Sequence, residues 1–521
     1  GASGTYGYNG GNGAGNTPQC GGGGGGAGGA GIVGGSGGTN GDGGSSLSNT
    51  ITGGTVAYAG GGGGGNYESG NVTVGGGAGA GGGSGNENDA TIANRGSGGG
   101  GAASATAGDG SAGVIILRYS SDYTATVTGG VTSSTSSSGT DTISDLATGD
   151  ILVVSNSATA NATITSFDAT FATRNDGSAT LTAKSTGGVI DLENATVGTG
   201  TYTIKVGSSA DTITGSKGDD IIEVVASTQG NADTLDGGLG DDTLKLSGGS
   251  HTFSDNNKLK NIENFSLSTS TSTVNFTGQL EALTLTGGSA VDNITGGNAA
   301  DIISGAANDD ILVGGIGDDV ISGGDGADDI TGGANNDTLT GGNGNDTFNI
   351  DSGTDSITDL TSGDIIKISN GATLNVTGIT AFNATSDSTN ANASATSANL
   401  TASSGSVTID MSASTGKYSI TGGSGDNTLK AGKQSSIIKG EAGDDIIVGD
   451  AQGDTLTGGL GNDTFTGNAG NDTFNIDSGT DIITDLGGSS GSDTDVIVVS
   501  SGATVNATGI KGFTADSGTK N

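Results

Sequence analysis

Seven aspartates recur at intervals of nine residues without a gap: Asp292, Asp301, Asp310, Asp319, Asp328, Asp337 and Asp346. Two residues beyond each stands an apolar side chain: Ile294, Ile303, Leu312, Ile321, Ile330, Leu339 and Phe348. Carboxylates are hard oxygen ligands, and a regular line of them suits a divalent cation. The overall charge points the same way, since 55 Asp and Glu against 16 Lys and Arg leave −39 on 521 residues. A chain so charged, with so few aromatics, cannot bury enough apolar surface to offset the entropy of folding. Divalent cations would bind the carboxylates and cancel their repulsion in one step.

Two further runs share the pattern less regularly. Asp211, Asp220, Asp233 and Asp242 form one, with a four-residue insertion between the middle pair. Asp445, Asp454, Asp463 and Asp472 form the other, and in the two nonamers before them Asn427 and Ser436 occupy the ligand position. Those two turns are expected to bind a cation weakly or not at all.

The nonamers of 287–349, among them GGIGDDVIS, GGDGADDIT and GGNGNDTFN, resemble the G-G-x-G-x-D-x-U-x calcium-binding nonapeptide of the RTX (haemolysin-type) repeat family. The likeness extends to the segments that begin at Asp355 and Asp481, and to a third copy from Asp141, so it covers most of 139–486. It implies Ca2+ as the cofactor, all fifteen aspartates of the three runs as metal ligands, and a parallel β-roll. In such a roll six residues of Gly and Asp form a turn with inward carbonyls, and three form a short strand with one core side chain. Two nonamers close one flattened coil, so aspartates eighteen residues apart stack. Asp292, Asp310, Asp328 and Asp346 then lie on one edge, and Asp301, Asp319 and Asp337 on the other. An ion between stacked turns gains about six oxygen ligands from two carboxylates and the turn carbonyls, which gives this block about five sites.

The elements that must position these groups are all β. The Thr/Ser/Val/Ile-rich stretches 120–205, 246–286 and 351–421 alternate as strands do, either continuing the solenoid or forming small sandwiches, with the solenoid favoured. The expected organisation is a Gly-rich domain (1–119), a β-strand module (120–205), a first RTX run (206–245), a β-strand module (246–286) and a second run of seven nonapeptides (287–350). A β-strand module (351–421), a third run (422–476) and the start of an incomplete β-strand module (477–521) follow. Internal copies support this division: GNDTFNIDSGTD stands at 344–355 and again at 470–481, and the segment starting at Ser369 is echoed from Ser500.

Residues 1–119 hold little of the acid and have Gly runs at 21–26, 61–65 and 98–101. Strand-like pieces interrupt them at Ile51-Thr52, Thr55–Tyr58, Asn71–Val74 and Val114–Tyr119, which a flexible linker would not need. The segment resembles Gly-rich domains of phage adhesins and receptor ectodomains. That resemblance implies polyglycine-II packing, in which backbones without Cβ approach closely.

The exclusions are as informative. High negative charge argues against nucleic acid and anionic membranes as partners, and no apolar run is long enough to span a bilayer. Cys20 is the only cysteine and cannot form an internal disulfide. His251 is the only histidine, which argues against a His-based triad, an H-E-x-x-H zinc site or a His-metal cluster, and it reads as a turn residue at a module boundary. The G-x-S-x-G match at 34–38 is expected by chance in Gly-rich sequence. The chain is therefore expected not to be an enzyme. The expected function is a secreted calcium-binding structural protein of the cell surface or extracellular matrix (S-layer, sheath, filament or adhesin subunit), exported by type I secretion. Copies of itself are the expected partners, with cell-surface polysaccharide as a second. The alternative is the C-terminal export and folding portion of a secreted RTX enzyme or toxin whose catalytic region lies outside this chain.

Overall fold

The computed structural model describes Leu47–Asn49, Val56–Tyr58, Ala125–Val127, Thr132–Ser134 and residues 139–511 other than 144–145, 149, 208, 225–227, 230–231 and 488–492. Two compact units are present, one made of 1–163, 169–179 and 198–200, the other of the rest. In the first, Ala125–Val127 pairs in parallel with Gly139–Ile143, and Thr132–Ser134 with Ile151–Val154. Val56–Tyr58 is a strand, as its sequence suggests, and pairs antiparallel with Leu47–Asn49. The polyglycine-II expectation, the pieces at 51–52, 71–74 and 114–119, and Cys20 lie outside the described residues.

The second unit is a parallel β-solenoid. One sheet runs along it without interruption, each strand pairing with the strand one coil later. Ile303 faces Ile321 across one pair and Ile321 faces Leu339 across the next, eighteen residues apart each time. On the facing side the sequence Ile294, Leu312, Ile330, Phe348, Ile366 forms the same kind of row. All seven apolar positions of the central run are buried, so the core is one side chain thick on each face. Parallel pairing at this step leaves every aspartate stacked on its counterpart one coil away.

The stretches between the runs continue the solenoid and do not form sandwiches. Coils there are longer, with steps of 21 residues from Thr243 to Asn264 and 24 from Leu374 to Ala398. Some hold three strands, as in Thr243–Leu246, Gly249–Thr252 and Leu259–Lys260. The long sheet is unbroken across them, while the facing side passes from a five-stranded to a nine-stranded sheet near 228–260, and to a seven-stranded one near 365–390. Aromatic residues fill the wider coils: Phe276 stacks on Phe253 at 5.4 Å and meets Phe265 edge-on at 4.6 Å.

His251 departs from expectation. It is fully buried in the strand Gly249–Thr252, in register with Val274, and its Nε2 lies 2.7 Å from the Ser247 carbonyl oxygen. The wider three-stranded coil has room for an imidazole on its inner face. Burial pushes its pKa down, so the ring is held neutral.

Candidate metal centre

Each ligand-position aspartate closes a Gly-rich turn at the entry to a strand, and its carboxylate points into the stack. The Oδ1 atoms form ladders. Asp310 Oδ1 accepts from the Asp292 N–H at 2.7 Å, Asp328 from Asp310 at 2.8 Å and Asp346 from Asp328 at 2.9 Å. On the other edge Asp301 accepts from Leu283, Asp319 from Asp301 and Asp337 from Asp319, at 2.7–2.8 Å. The first run absorbs its insertion: Asp233 accepts from Asp211 and Asp242 from Asp220, while Asp211 and Asp220 accept from Gly188 and Tyr202. In the third run Asp445 and Asp454 accept from Asn427 and Ser436, and Asp463 and Asp472 from Asp445 and Asp454. All fifteen expected residues therefore occupy equivalent places, each 2% exposed or less.

The second carboxylate oxygen divides them. Oδ2 is buried without a hydrogen-bond partner in Asp233, Asp242, Asp310, Asp319, Asp328, Asp337, Asp445, Asp463 and Asp472. In Asp211, Asp220, Asp292, Asp301 and Asp454 it is latched by the N–H of the residue four before, for example Gly288 to Asp292 at 2.8 Å and Gly297 to Asp301 at 2.6 Å. At Gly315, four before the unlatched Asp319, φ is +116°, a left-handed setting that turns the N–H away, whereas Gly288 and Gly297 are not left-handed.

An unlatched turn has the form of a cation cradle. A Cβ placed on Gly314 would overlap both Asp319 Oδ2 and the Gly332 carbonyl oxygen of the next coil. Two acceptors converge there and no donor lies between them. Burial, followed by the neighbouring aspartates, pushes the Asp310 and Asp319 carboxyls up to about 7 and Asp472 up to about 8. A buried carboxylate so placed needs a proton or a metal ion. Among the described residues no three Asp, Glu, His or Cys side chains are grouped to hold a metal, so main-chain carbonyls must complete any shell.

Asn427 and Ser436 meet the same need internally. Asn427 Nδ2 donates to the Gly425 carbonyl at 2.6 Å, and Ser436 Oγ to the Gln434 carbonyl at 3.0 Å. Each side chain closes its own turn with a hydrogen that a carboxylate does not have.

Several ladder members were not picked out from the sequence. Asp355 and Asp364 accept from Asp337 and Asp346, and Asp481 from Asp463. All three continue the nine-residue register, which was the available signal. Glu263 and Asp495 accept from Asp242 and Asp472 but are offset by longer coils, so no spacing marks them. A second ladder runs the opposite way at the preceding position: Asp309 accepts from the Ala327 N–H, Asp318 from Asn336 and Asp444 from Asn462. It accounts for the frequent Asp or Asn just before each ligand position.

Together, the parallel coils and the two lines of buried carboxylates define a cation-binding β-solenoid. Residues 198–224, 227–250, 286–321, 322–357, 421–456 and 449–483 match the RTX calcium-binding nonapeptide repeat. The chain thus carries RTX repeats across 198–483, and Ca2+ is the ion this repeat family binds. It is a calcium-binding repeat protein of the secreted type, built on a structural repeat fold, and such repeats are typical of type I secretion. A search of curated proteins finds no match.

Proposed function

We propose that the chain is an extracellular structural protein that folds on meeting calcium, assembles with copies of itself at the cell surface or in the matrix, and catalyses no reaction. The observation that carries this reading is the set of buried, unpartnered Oδ2 atoms. The aspartates of the three runs are its calcium ligands, the unlatched ones with the least rearrangement. In calcium-poor cytosol these carboxylates repel one another and the thin core cannot compensate, which keeps the chain open for export. Outside, calcium modules of this kind fill at about 10⁻⁴–10⁻³ M.

Self-association is supported by a bare strip on a strongly acidic molecule. From Asn264 to Thr421, the two residues flanking the buried centre of each of nine successive strands in the long sheet are Asn, Ser, Thr, Ile or Val. Lys245 and Lys439 bound the strip. At about 4.8 Å per strand it runs roughly 40 Å. Like-charged copies can approach along such a face once ions neutralise the turns. Cell-surface polysaccharide is a second partner for the same hydroxyl-rich surface.

Sedimentation velocity and circular dichroism, in EGTA and in calcium of several millimolar, test the reading. The expected result is a largely unfolded monomer in EGTA and a β-rich, self-associating species in calcium. Ser322→Lys, in the middle of the strip, should abolish association and leave the β-signal intact. A strictly monomeric species over a wide concentration range in calcium would favour the export and folding portion of a secreted enzyme or toxin.

A further inference from the structure

Charge is distributed unevenly along the solenoid. Residues 287–364 hold fifteen Asp and no Lys or Arg, whereas 417–439 hold Lys417, Lys430, Lys433 and Lys439 against Asp426 alone. The lysines gather at one edge. The turn 431–436 leads from the facing strand Thr428–Lys430 into Ile437–Ala442 of the long sheet, and the turn ending at Tyr418 leads from Thr408–Asp410 into Ser419–Thr421 one coil earlier. The Lys433 N–H donates to the Ser414 carbonyl at 3.1 Å, so Lys417 and Lys433 lie in neighbouring turns. Lys439 stands in the strand that follows. Lys433 and Lys439 are exposed and Lys417 is half-buried. Lys430 pairs with Asp410 at 2.8 Å, while the other three have no ion pair among the described residues. Ser436 closes this turn without a cation.

The opposite edge of the central run carries the reverse charge. There the turn 323–328 leads from the long-sheet strand Val320–Asp325 into Asp329–Ala334 of the facing sheet. Asp309, Asp325 and Asp329 are exposed on two successive coils, outside the buried ladder. Each is fixed by the coil that follows. Asp309 Oδ1 accepts from the Ala327 N–H at 2.8 Å, Asp325 Oδ1 from Asn343 Nδ2 at 2.8 Å, and Asp329 Oδ1 from Asn349 Nδ2.

We propose that Lys417, Lys433 and Lys439 of one copy dock on Asp309, Asp325 and Asp329 of a second copy. The contact rests on the self-association proposed above and gives it a direction. Both sets span two successive coils, about 4.8 Å apart, so their spacings agree. They lie on opposite edges of one unit and therefore meet only between chains. A contact between two different surfaces repeats from copy to copy and builds an open-ended row. Single exposed ion pairs are weak, but several together orient partners and speed their encounter. On a chain of net charge −39, copies repel one another over most of their surface, and the lysine edge is where approach is favoured.

Sedimentation velocity of the intact chain in calcium of several millimolar tests the contact, with two charge-swapped variants: Lys417→Glu/Lys433→Glu and Asp309→Lys/Asp325→Lys. Each variant alone should associate about tenfold more weakly than wild type, with its β-signal intact. An equimolar mixture of the two should regain association, because each supplies the charge that the other has reversed. Sodium chloride at about 0.5 M should weaken wild-type association, since exposed pairs are screened at that strength. Variants that alone associate as strongly as wild type, or a mixture no better than its parts, would overturn the inference. So would unchanged self-association of Lys417→Glu/Lys433→Glu with loss of binding to polygalacturonate, which would give the lysines to an acidic polysaccharide. If a double variant loses its β-signal, Lys433→Glu and Asp325→Lys, both at exposed turn positions, are mixed and judged by the same criterion. Failure of the self-association reading is distinct: wild type itself would stay monomeric.

Discussion

In the seven-nonamer run, Asp328 and Asp319 stand where Asn427 and Ser436 stand at the start of the third run. All four are 2% exposed or less, and the coil step of eighteen residues is the same on both stretches. The difference is one hydrogen per turn. Asn427 and Ser436 donate to carbonyls of their own turns, while the aspartates leave Oδ2 bare. Lysines gather beside the substituted turns, Lys430 pairing with Asp410 at 2.8 Å and Lys433 and Lys439 close in sequence. The scaffold therefore accepts two ways of closing a turn, one internal and one that requires a cation. Where the cation is required, folding becomes conditional on the medium.

The largest effect should come from breaking a turn that has carboxylates on both sides. Asp319 lies between Asp301 and Asp337, whereas Asp445 has Asn427 behind it and only Asp463 ahead. Asp319→Ala should raise the calcium midpoint for folding about tenfold, and Asp445→Ala about threefold, as buried polar partners are lost from two sites or from one. Equal shifts, read by circular dichroism during calcium titration, would contradict the stacking.

Acid should mimic calcium in the aspartate run but not in the substituted turns. The ordinary carboxyl pKa is 3.8, and burial holds Asp310 and Asp319 near 7 in the fold. Between these values the folded state binds more protons than the unfolded one, so calcium-free stability is full below about 3.8 and falls as pH rises through about 7. In EGTA the β-signal should be stronger at about pH 5 than at about pH 8. The opposite order would mean that the buried carboxyls are not raised.

Much of this was legible in the sequence because nine-residue periodicity fixes turn, ligand and core position together, as at Asp319 and Ile321. The latches were not legible. Gly288 and Gly315 are both the second glycine of a repeat, yet only Gly315 is left-handed, a difference the repeat pattern does not carry. His251 was misread because its coil has three sides and room for an imidazole, which no local pattern announces. Asp495 escaped because five extra residues separate it from the eighteen-residue register of Asp472.

A smaller effect follows from the latch. Asp292→Ala removes a carboxylate already satisfied by the Gly288 and Ser272 N–H groups. It should move the calcium midpoint less than Asp445→Ala does, by about twofold or less. A shift as large as that of Asp319→Ala would show that latched turns open freely for the ion.

The most direct test of cation-closed against self-closed turns is an anomalous difference map from crystals grown in calcium. Peaks are expected within about 2.3–2.6 Å of the Oδ2 atoms of Asp310, Asp319, Asp328 and Asp337. No peak is expected beside Asn427 or Ser436. Peaks of equal height at the substituted turns, or none at the aspartate turns, would contradict the account.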